Sequence, residues 1–115
     1  MNLHGLATGR IGAISELKAQ TWLMEQGYEV FKNIKASGPA DLIAWNIKTD
    51  TLLKIDVKTV RVYIKKNGVK NYNFSSLGNA NLKGKNKYTT DGIHYLGYCE
   101  EEDRFLWFSE VIKDT

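Results

Sequence analysis

Residues 54–62, Lys-Ile-Asp-Val-Lys-Thr-Val-Arg-Val, put a carboxylate and an ammonium two positions apart inside what otherwise reads as a β-strand. Successive side chains of a strand point to opposite faces, so Asp56 and Lys58 share a face with Val60, Val62 and Ile64. A face that is apolar further along therefore begins with two opposite charges. Same-face neighbours lie about 6.5–7 Å apart at Cα, which lets both groups approach one small object without collapsing onto each other. A hard divalent cation takes carboxylate and carbonyl oxygens, and a lysine beside it can polarise a water or neutralise a phosphate.

Such an ion calls for a second carboxylate. Asp41, in the stretch Gly38-Pro39-Ala40-Asp41-Leu42-Ile43, stands at the mouth of the apolar strand that precedes Asp56. Strands joined by a short turn are usually neighbours, so Asp41 and Asp56 are expected to converge. Glu16, near the start of the first helix, is a third acid placed to reach the same edge. Each has a plainer explanation: Asp-x-Lys pairs decorate solvated strands, an Asp after proline suits a turn, and a first-turn Glu suits the helix dipole. The joint arrangement carries the argument.

Working outward, residues 12–26 read as a helix with Ile14, Leu17, Thr21 and Met24 at helical spacing and Ile11 and Trp22 beside them; Gly27 supplies the stop. Short strands follow at residues 28–33 and at residues 40–47, then a long strand over residues 51–65. Asn67-Gly68 is a hairpin signal, because both residues tolerate positive φ, and it predicts a returning strand over residues 69–77. Residues 78–92 read as an exposed loop with one helical turn. Residues 93–100 and 104–109 read as a closing hairpin across an acidic turn, and residues 109–114 as a short terminal helix. This order predicts an α/β fold on a mixed, largely antiparallel sheet.

The chain of 115 residues is the size of one domain, with 43% apolar and 25% charged residues. No apolar run reaches the ~18 residues of a membrane span, and the N-terminus lacks the apolar core of a secretory signal. The lone Cys99 cannot form an intrachain disulfide, which fits a reducing cytosol. Net charge is +3 but unevenly spread. Between Val57 and Thr90 stand Lys58, Arg61, Lys65, Lys66, Lys70, Lys83, Lys85 and Lys87 with no acid among them, whereas the last quarter of the chain is acidic. A purely basic segment is the footprint of a polyanion partner, although charge runs also serve as solvated faces. Asn71, Asn73, Asn79 and Asn81 can read adenine edges or be ordinary loop residues. Trp22, Trp45 and Trp107 suit packing. His4 and His94 are not placed as metal ligands.

The constellation of Glu16 in Ser-Glu-Leu-Lys-Ala-Gln-Thr-Trp, Pro39 and Asp41, and Asp56-Val57-Lys58 resembles the PD-(D/E)XK nuclease superfamily, with its restriction-endonuclease-like fold. It is similar to the small branch that holds Holliday-junction resolvases and phage or homing endonucleases. The likeness is plain over residues 12–60 and looser to the end, where residues 92–112 look like the closing hairpin of the homing group. Ala40 intervenes between Pro39 and Asp41, and the central acid is Asp56 where Glu is commoner. The resemblance implies a restriction-endonuclease-like core over residues 1–115, a mixed central sheet with an N-terminal catalytic helix, and a β-hairpin extension. It implies Mg²⁺-dependent (or Mn²⁺-dependent) hydrolysis of DNA phosphodiester bonds in an intracellular enzyme encoded by a phage or mobile element.

By that resemblance Asp41, Asp56 and the Val57 carbonyl bind metal, Glu16 supports a ligand or water, and Lys58 orients and helps deprotonate the attacking water. Thr59 and Ser37 flank the site and can hydrogen-bond phosphate. Arg61, Lys65, Lys66, Lys83, Lys85 and Lys87 would hold duplex or branched DNA by phosphate contacts that carry no sequence information. Two strands need two sites, so a homodimer or homotetramer is expected. Resolvases of the archaeal type usually follow the lysine with a helix, which favours the homing or phage type; a resolvase is the alternative. A catalytically inactive nucleic-acid-binding module and a protein-interaction domain using the acidic C-terminal third are the readings from other classes.

Overall fold

The computed structural model describes residues 7–35, 38–74, 79–82 and 92–113, with the backbone alone at 79–82 and 110–113. Among the described residues one helix, α1 (Thr8–Glu25), precedes eight strands: β1 (Glu29–Lys32), β2 (Leu42–Asn46), β3 (Thr51–Ile64), β4 (Lys70–Asn73), β5 (Asn79–Leu82), β6 (Ile93–Cys99), β7 (Arg104–Trp107) and β8 (Val111–Lys113). The sheet runs β1-β2-β3-β4-β5-β8, with β6 also paired to β3 and β7 to β6. Among the described residues every pairing is antiparallel except β3 with β6, which is parallel. The expected mixed α/β architecture is the one found.

α1 begins a turn earlier than the apolar spacing predicts, because Gly9 and Gly12 are poor helix formers and mask its first turn. Its end is set by Gly27 at φ 96°. The Gly27 N–H donates to the Met24 carbonyl at 3.0 Å and the Tyr28 N–H to the Leu23 carbonyl at 3.1 Å, closing the helix in a Schellman motif. Tyr28 and Leu23 then join one apolar cluster, so the cap also aims the chain into β1.

The helix buries a different stripe from the one its hydrophobicity suggests. Ser15, Ala19 and Leu23 face the sheet, whereas Leu17 is 63% and Met24 57% exposed. Small side chains let the helix axis come close to β3, and the Ser15 and Thr59 hydroxyls meet at 2.8 Å, which satisfies both in a half-buried place. Close approach, more than apolar count, selects the face.

β3 is the spine. Its 14 residues supply Ile55 to a core under the helix with Ala19, Leu23, Leu42, Ala44 and Leu96, and Val60 to a second core with Tyr72, Phe74, Cys99, Leu106 and Phe108. Residues 55 and 60 differ in parity, so the two cores lie on opposite faces of the strand. Trp22 stacks on Phe105 with ring centroids 4.8 Å apart, and Trp107 sits 6.1 Å from Trp22, so both serve packing. Gly97 is required by proximity: a Cβ there would lie 2.2 Å from Val60 Cγ2 and 2.6 Å from the Phe74 ring.

The hairpin at Asn67-Gly68 forms as expected, with Gly68 at φ 83° and the Lys65 N–H bonded to the Val69 carbonyl at 2.8 Å. Two expectations fail. Residues 79–82 form β5 within the predicted loop, and the predicted terminal helix is a single 3-10 turn, Phe108–Glu110, followed by β8. β5 pairs with β4 on one side and β8 on the other, so these three- or four-residue strands exist through partners distant in sequence, a long-range condition that no local pattern reveals. No described helix is long and apolar enough to cross a membrane.

Candidate active site

β2 and β3 pair with Leu42 opposite Ile55, which sets Asp41, the residue before β2, beside Asp56. Main-chain bonds hold Asp41 in place: its N–H donates to the Ile55 carbonyl at 2.8 Å, and its carbonyl accepts from the Asn33 N–H at 2.9 Å. The side chain then continues the job of the backbone. Asp41 Oδ2 accepts from the Val57 N–H at 2.7 Å, serving β3 as an acceptor just where β2 begins. That geometry aims the rest of the carboxyl at Asp56, with which it shares a hydrogen bond.

Burial, then the contact with Asp56, pushes the Asp41 carboxyl up to about 6, against the lowering effects of the Val57 N–H and Lys58. Its charged form is costly in this half-buried place. Lys58 Nζ lies 3.3 Å from Asp56 Oδ2 and 5.9 Å from the centre of the Tyr95 ring. The charged start of this strand face is thus a compact group of Asp41, Asp56 and Lys58 at the rim of the sheet.

Glu16 is placed otherwise: its carboxylate is engaged by the Lys32 ammonium of β1. Among the described residues no three His, Cys, Asp or Glu side chains form a group able to hold a metal ion. The donor set nevertheless fits Mg²⁺ or Mn²⁺. Both take hard oxygen ligands, and Mg²⁺ keeps several of its waters, so two carboxylates and a main-chain carbonyl suffice from the protein.

The remaining sequence candidates divide. Thr59 faces α1 through Ser15, away from Asp56 and Lys58, because odd and even positions of β3 point oppositely. Asn71 is 6% exposed, which removes it as a reader of base edges. Arg61 lies 3.8 Å from Glu101, so part of the basic segment is met by the acidic turn between β6 and β7. Lys65 and Lys66 stand at the tip of the β3–β4 hairpin. Lys83, Lys85, Lys87 and Ser37 lie outside the described residues.

Asn33 escapes sequence reasoning. Its Nδ2 donates to the Ala40 carbonyl at 2.9 Å and its Oδ1 accepts from the Lys35 N–H at 2.9 Å, tying the two ends of the loop that delivers Asp41. Gly38 makes room for it, since a Cβ there would lie 2.1 Å from Asn33 Nδ2. The only local signal was an Asn at the start of a Gly-Pro loop, a pattern shared by many ordinary turns. Beside this loop a groove of about 600 Å³ runs along Phe31, Asn33, Pro39, Ala40, Ile43, Lys54 and Tyr95.

A family model described as PD-(D/E)XK endonuclease matches residues 6–115. Among solved structures, the chain is similar to the bacterial homing endonuclease I-Ssp6803I, with a TM-score of 0.57 and 19% identity over 95% of this chain and 77% of that one. At that identity the likeness concerns the fold. No curated protein matches the sequence.

Proposed function

The chain belongs to the PD-(D/E)XK endonuclease family, and from that premise we propose that it is a DNA endonuclease of the homing or phage type, dependent on Mg²⁺ or Mn²⁺. The observation that carries the site assignment is the contact between the Asp41 and Asp56 carboxyls with Lys58 Nζ 3.3 Å from Asp56. Asp41, Asp56 and the Val57 carbonyl hold the cation, and Glu16, released from Lys32, supports a ligand or water. When bound, the cation screens the charge that builds on the scissile phosphate.

The chain's own groups do the rest. The Val57 N–H fixes one oxygen of Asp41, leaving the other for a ligand. Lys58 Nζ holds the attacking water beside Asp56 and takes part in removing its proton. Main-chain bonds from Ile55 and Asn33 keep Asp41 from following mobile groups, so positions are set before substrate arrives. Lys65 and Lys66, with Lys83, Lys85 and Lys87, supply phosphate contacts, and Arg61 joins them on leaving Glu101.

β3 runs on as a strand past Lys58 to Ile64 and turns through Asn67-Gly68. That supports the homing or phage type over a Holliday-junction resolvase, which would follow the lysine with a helix. A homodimer or homotetramer supplies the second site that a double-strand cut requires.

The test is cleavage of supercoiled plasmid and of a synthetic four-way junction, with Mg²⁺ and with EDTA, alongside Asp56→Ala and Lys58→Ala. Plasmid cleavage that needs Mg²⁺ and disappears in both variants is the expected result. Preferential resolution of the junction selects the alternative; equal cutting by parent and variants ends the assignment.

A further inference from the structure

Beyond its two cores the β3–β4 ribbon carries apolar side chains that fold nothing. Tyr63 is 52%, Ile64 72% and Val69 40% exposed. Tyr63 and Ile64 are consecutive strand residues and so face opposite ways. Exposure on both sides means that this end of the ribbon projects into solvent. A dedicated two-residue signal, Asn67-Gly68, closes it tightly, with the Val69 N–H bonded to Asn67 Oδ1 at 3.0 Å.

One edge of the ribbon, by contrast, is clamped as far as Lys70, the cross-strand partner of Ile64. The Val62 N–H donates to Glu101 Oε2 at 2.9 Å, Lys70 Nζ pairs with Glu102 at 2.6 Å, and the Tyr72 hydroxyl donates to Glu102 at 3.0 Å. The acidic turn therefore pairs with Lys70 and stiffens the ribbon. Lys65 and Lys66 follow Ile64 in the turn that closes it.

Resting on the nuclease reading, we infer that this tip is a wedge for duplex DNA: Ile64 enters a base step from the minor groove, with Tyr63 and Val69 on the opposite face of the ribbon, while Lys65 and Lys66 hold the flanking phosphates. Three features select that occupant. The same tip of a second copy would bring like charge to like charge, whereas DNA is a polyanion. An apolar side chain among cations matches a helix that is charged outside and apolar between its bases, and inserted Ile, Leu or Phe wedges unstack such steps. The ribbon is also continuous with the candidate site through β3. From Lys58 to Ile64 the strand spans at most about 20 Å, or about six base pairs. The unstacked step should lie within that distance of the cut, preferably at a pyrimidine–purine step, which unstacks most easily.

The experiment uses duplexes carrying 2-aminopurine at successive TA steps, bound by the full chain in EDTA, with cut positions mapped separately in Mg²⁺. The expected result is a rise of about twofold or more in fluorescence at a step within about six base pairs of the cut. Ile64→Ala, a change at an exposed position that leaves the circular dichroism unaltered, should abolish the rise and weaken binding roughly tenfold. A parent protein that binds and cuts without brightening any step overturns the wedge and leaves the nuclease intact. So does an Ile64→Ala variant that brightens the same step equally. Loss of self-association in Ile64→Ala, with no fluorescence change in the parent, assigns the tip to a protein interface and also overturns it. A protein that neither binds nor cuts DNA brings down both readings.

Discussion

Asp41 Oδ2 accepts the Val57 N–H at 2.7 Å, so one carboxylate serves at once as a piece of sheet and as half of an acid pair. The two duties conflict. Sheet formation pulls Asp41 into a half-buried place against Asp56, where its charged form is costly; the candidate chemistry needs it charged.

The first prediction follows from that conflict. The Asp41 carboxyl is raised from 3.8 to about 6 by burial and by Asp56. A raised carboxyl binds its proton more tightly in the folded state than in the unfolded one. Its stabilising contribution is therefore complete below 3.8 and is lost as pH rises through about 6. Asp41→Asn keeps an acceptor for the Val57 N–H and removes the charge. At pH 7.5 and without metal it should unfold at higher urea than the parent, by about 1 kcal/mol once solvent screening of a half-exposed group is allowed for. The gain should vanish below pH 4, and DNA cleavage should be lost. Equal urea midpoints for the two proteins across the whole range would show that the acid pair is not strained.

A second prediction concerns the cation. If it sits between Asp41 and Asp56, Mg²⁺ should raise the melting temperature of the parent at pH 7.5, since a ligand that binds only the folded state stabilises it by mass action. Asp41→Asn and Asp56→Asn should each lose most of that increment. Lys58→Met should keep it while cutting on the order of 10²- to 10⁴-fold more slowly, the usual range for a group that manages a proton. Differential scanning fluorimetry with and without Mg²⁺, paired with plasmid cleavage, separates metal holding from proton handling. A Lys58→Met variant that loses the Mg²⁺ increment refutes the division of labour.

A third prediction tests the packing that puts the helix over β3. Ser15 and Thr59 satisfy each other at 2.8 Å in a place with no room for a larger residue at the helix surface. Ser15→Ala should cost about 1 kcal/mol, the net worth of one such bond. Ser15→Leu, which raises the apolar count of the helix, should cost about 1–3 kcal/mol through overpacking. Urea unfolding measures both, and a stabilised Ser15→Leu would mean that the helix sits farther from the sheet than described.

That inversion shows where the sequence was legible. The strand period around Asp56 and Lys58, the Asn67-Gly68 turn and the β6–β7 hairpin are local signals, decided within a few residues, and the structure contains each of them. The meeting of Asp41 and Asp56 followed from one topological rule, that strands joined by a short turn pair. The helix face did not follow from apolar spacing, because Ser15 and Ala19 were chosen by how near the helix lies to β3, a tertiary quantity. β5 and β8 were hidden for a related reason: each is too short to be recognised without the strands it pairs with, β4 and β8 for one and β5 for the other. The engagement of Arg61 by Glu101 and of Lys70 by Glu102 joins two regions that looked in sequence like separate basic and acidic blocks.

The last prediction takes up the residue that no motif indicated. Asn33 Nδ2 holds the Ala40 carbonyl at 2.9 Å, and the Asn33 N–H holds the Asp41 carbonyl at 2.9 Å, so the side chain and the backbone fix the residue before the acid and the acid itself. A side chain at Gly38 would displace the Asn33 amide, because a Cβ would stand 2.1 Å from Asn33 Nδ2. Asn33→Ala should lower cleavage roughly tenfold by loosening Asp41, since small misplacements of a catalytic group are costly. Gly38→Ala should do at least as much, by driving Asn33 off the Ala40 carbonyl. The double variant decides the cause. With the Asn33 amide gone, the clash at position 38 is gone too, so Gly38→Ala should cost little further in the Asn33→Ala background. A double-mutant cycle on cleavage rate should therefore show strong coupling between the two positions, with the melting temperature reported alongside. Simple additivity would mean that Gly38 and Asn33 act on the site independently, and that the packing between them does not set the position of Asp41.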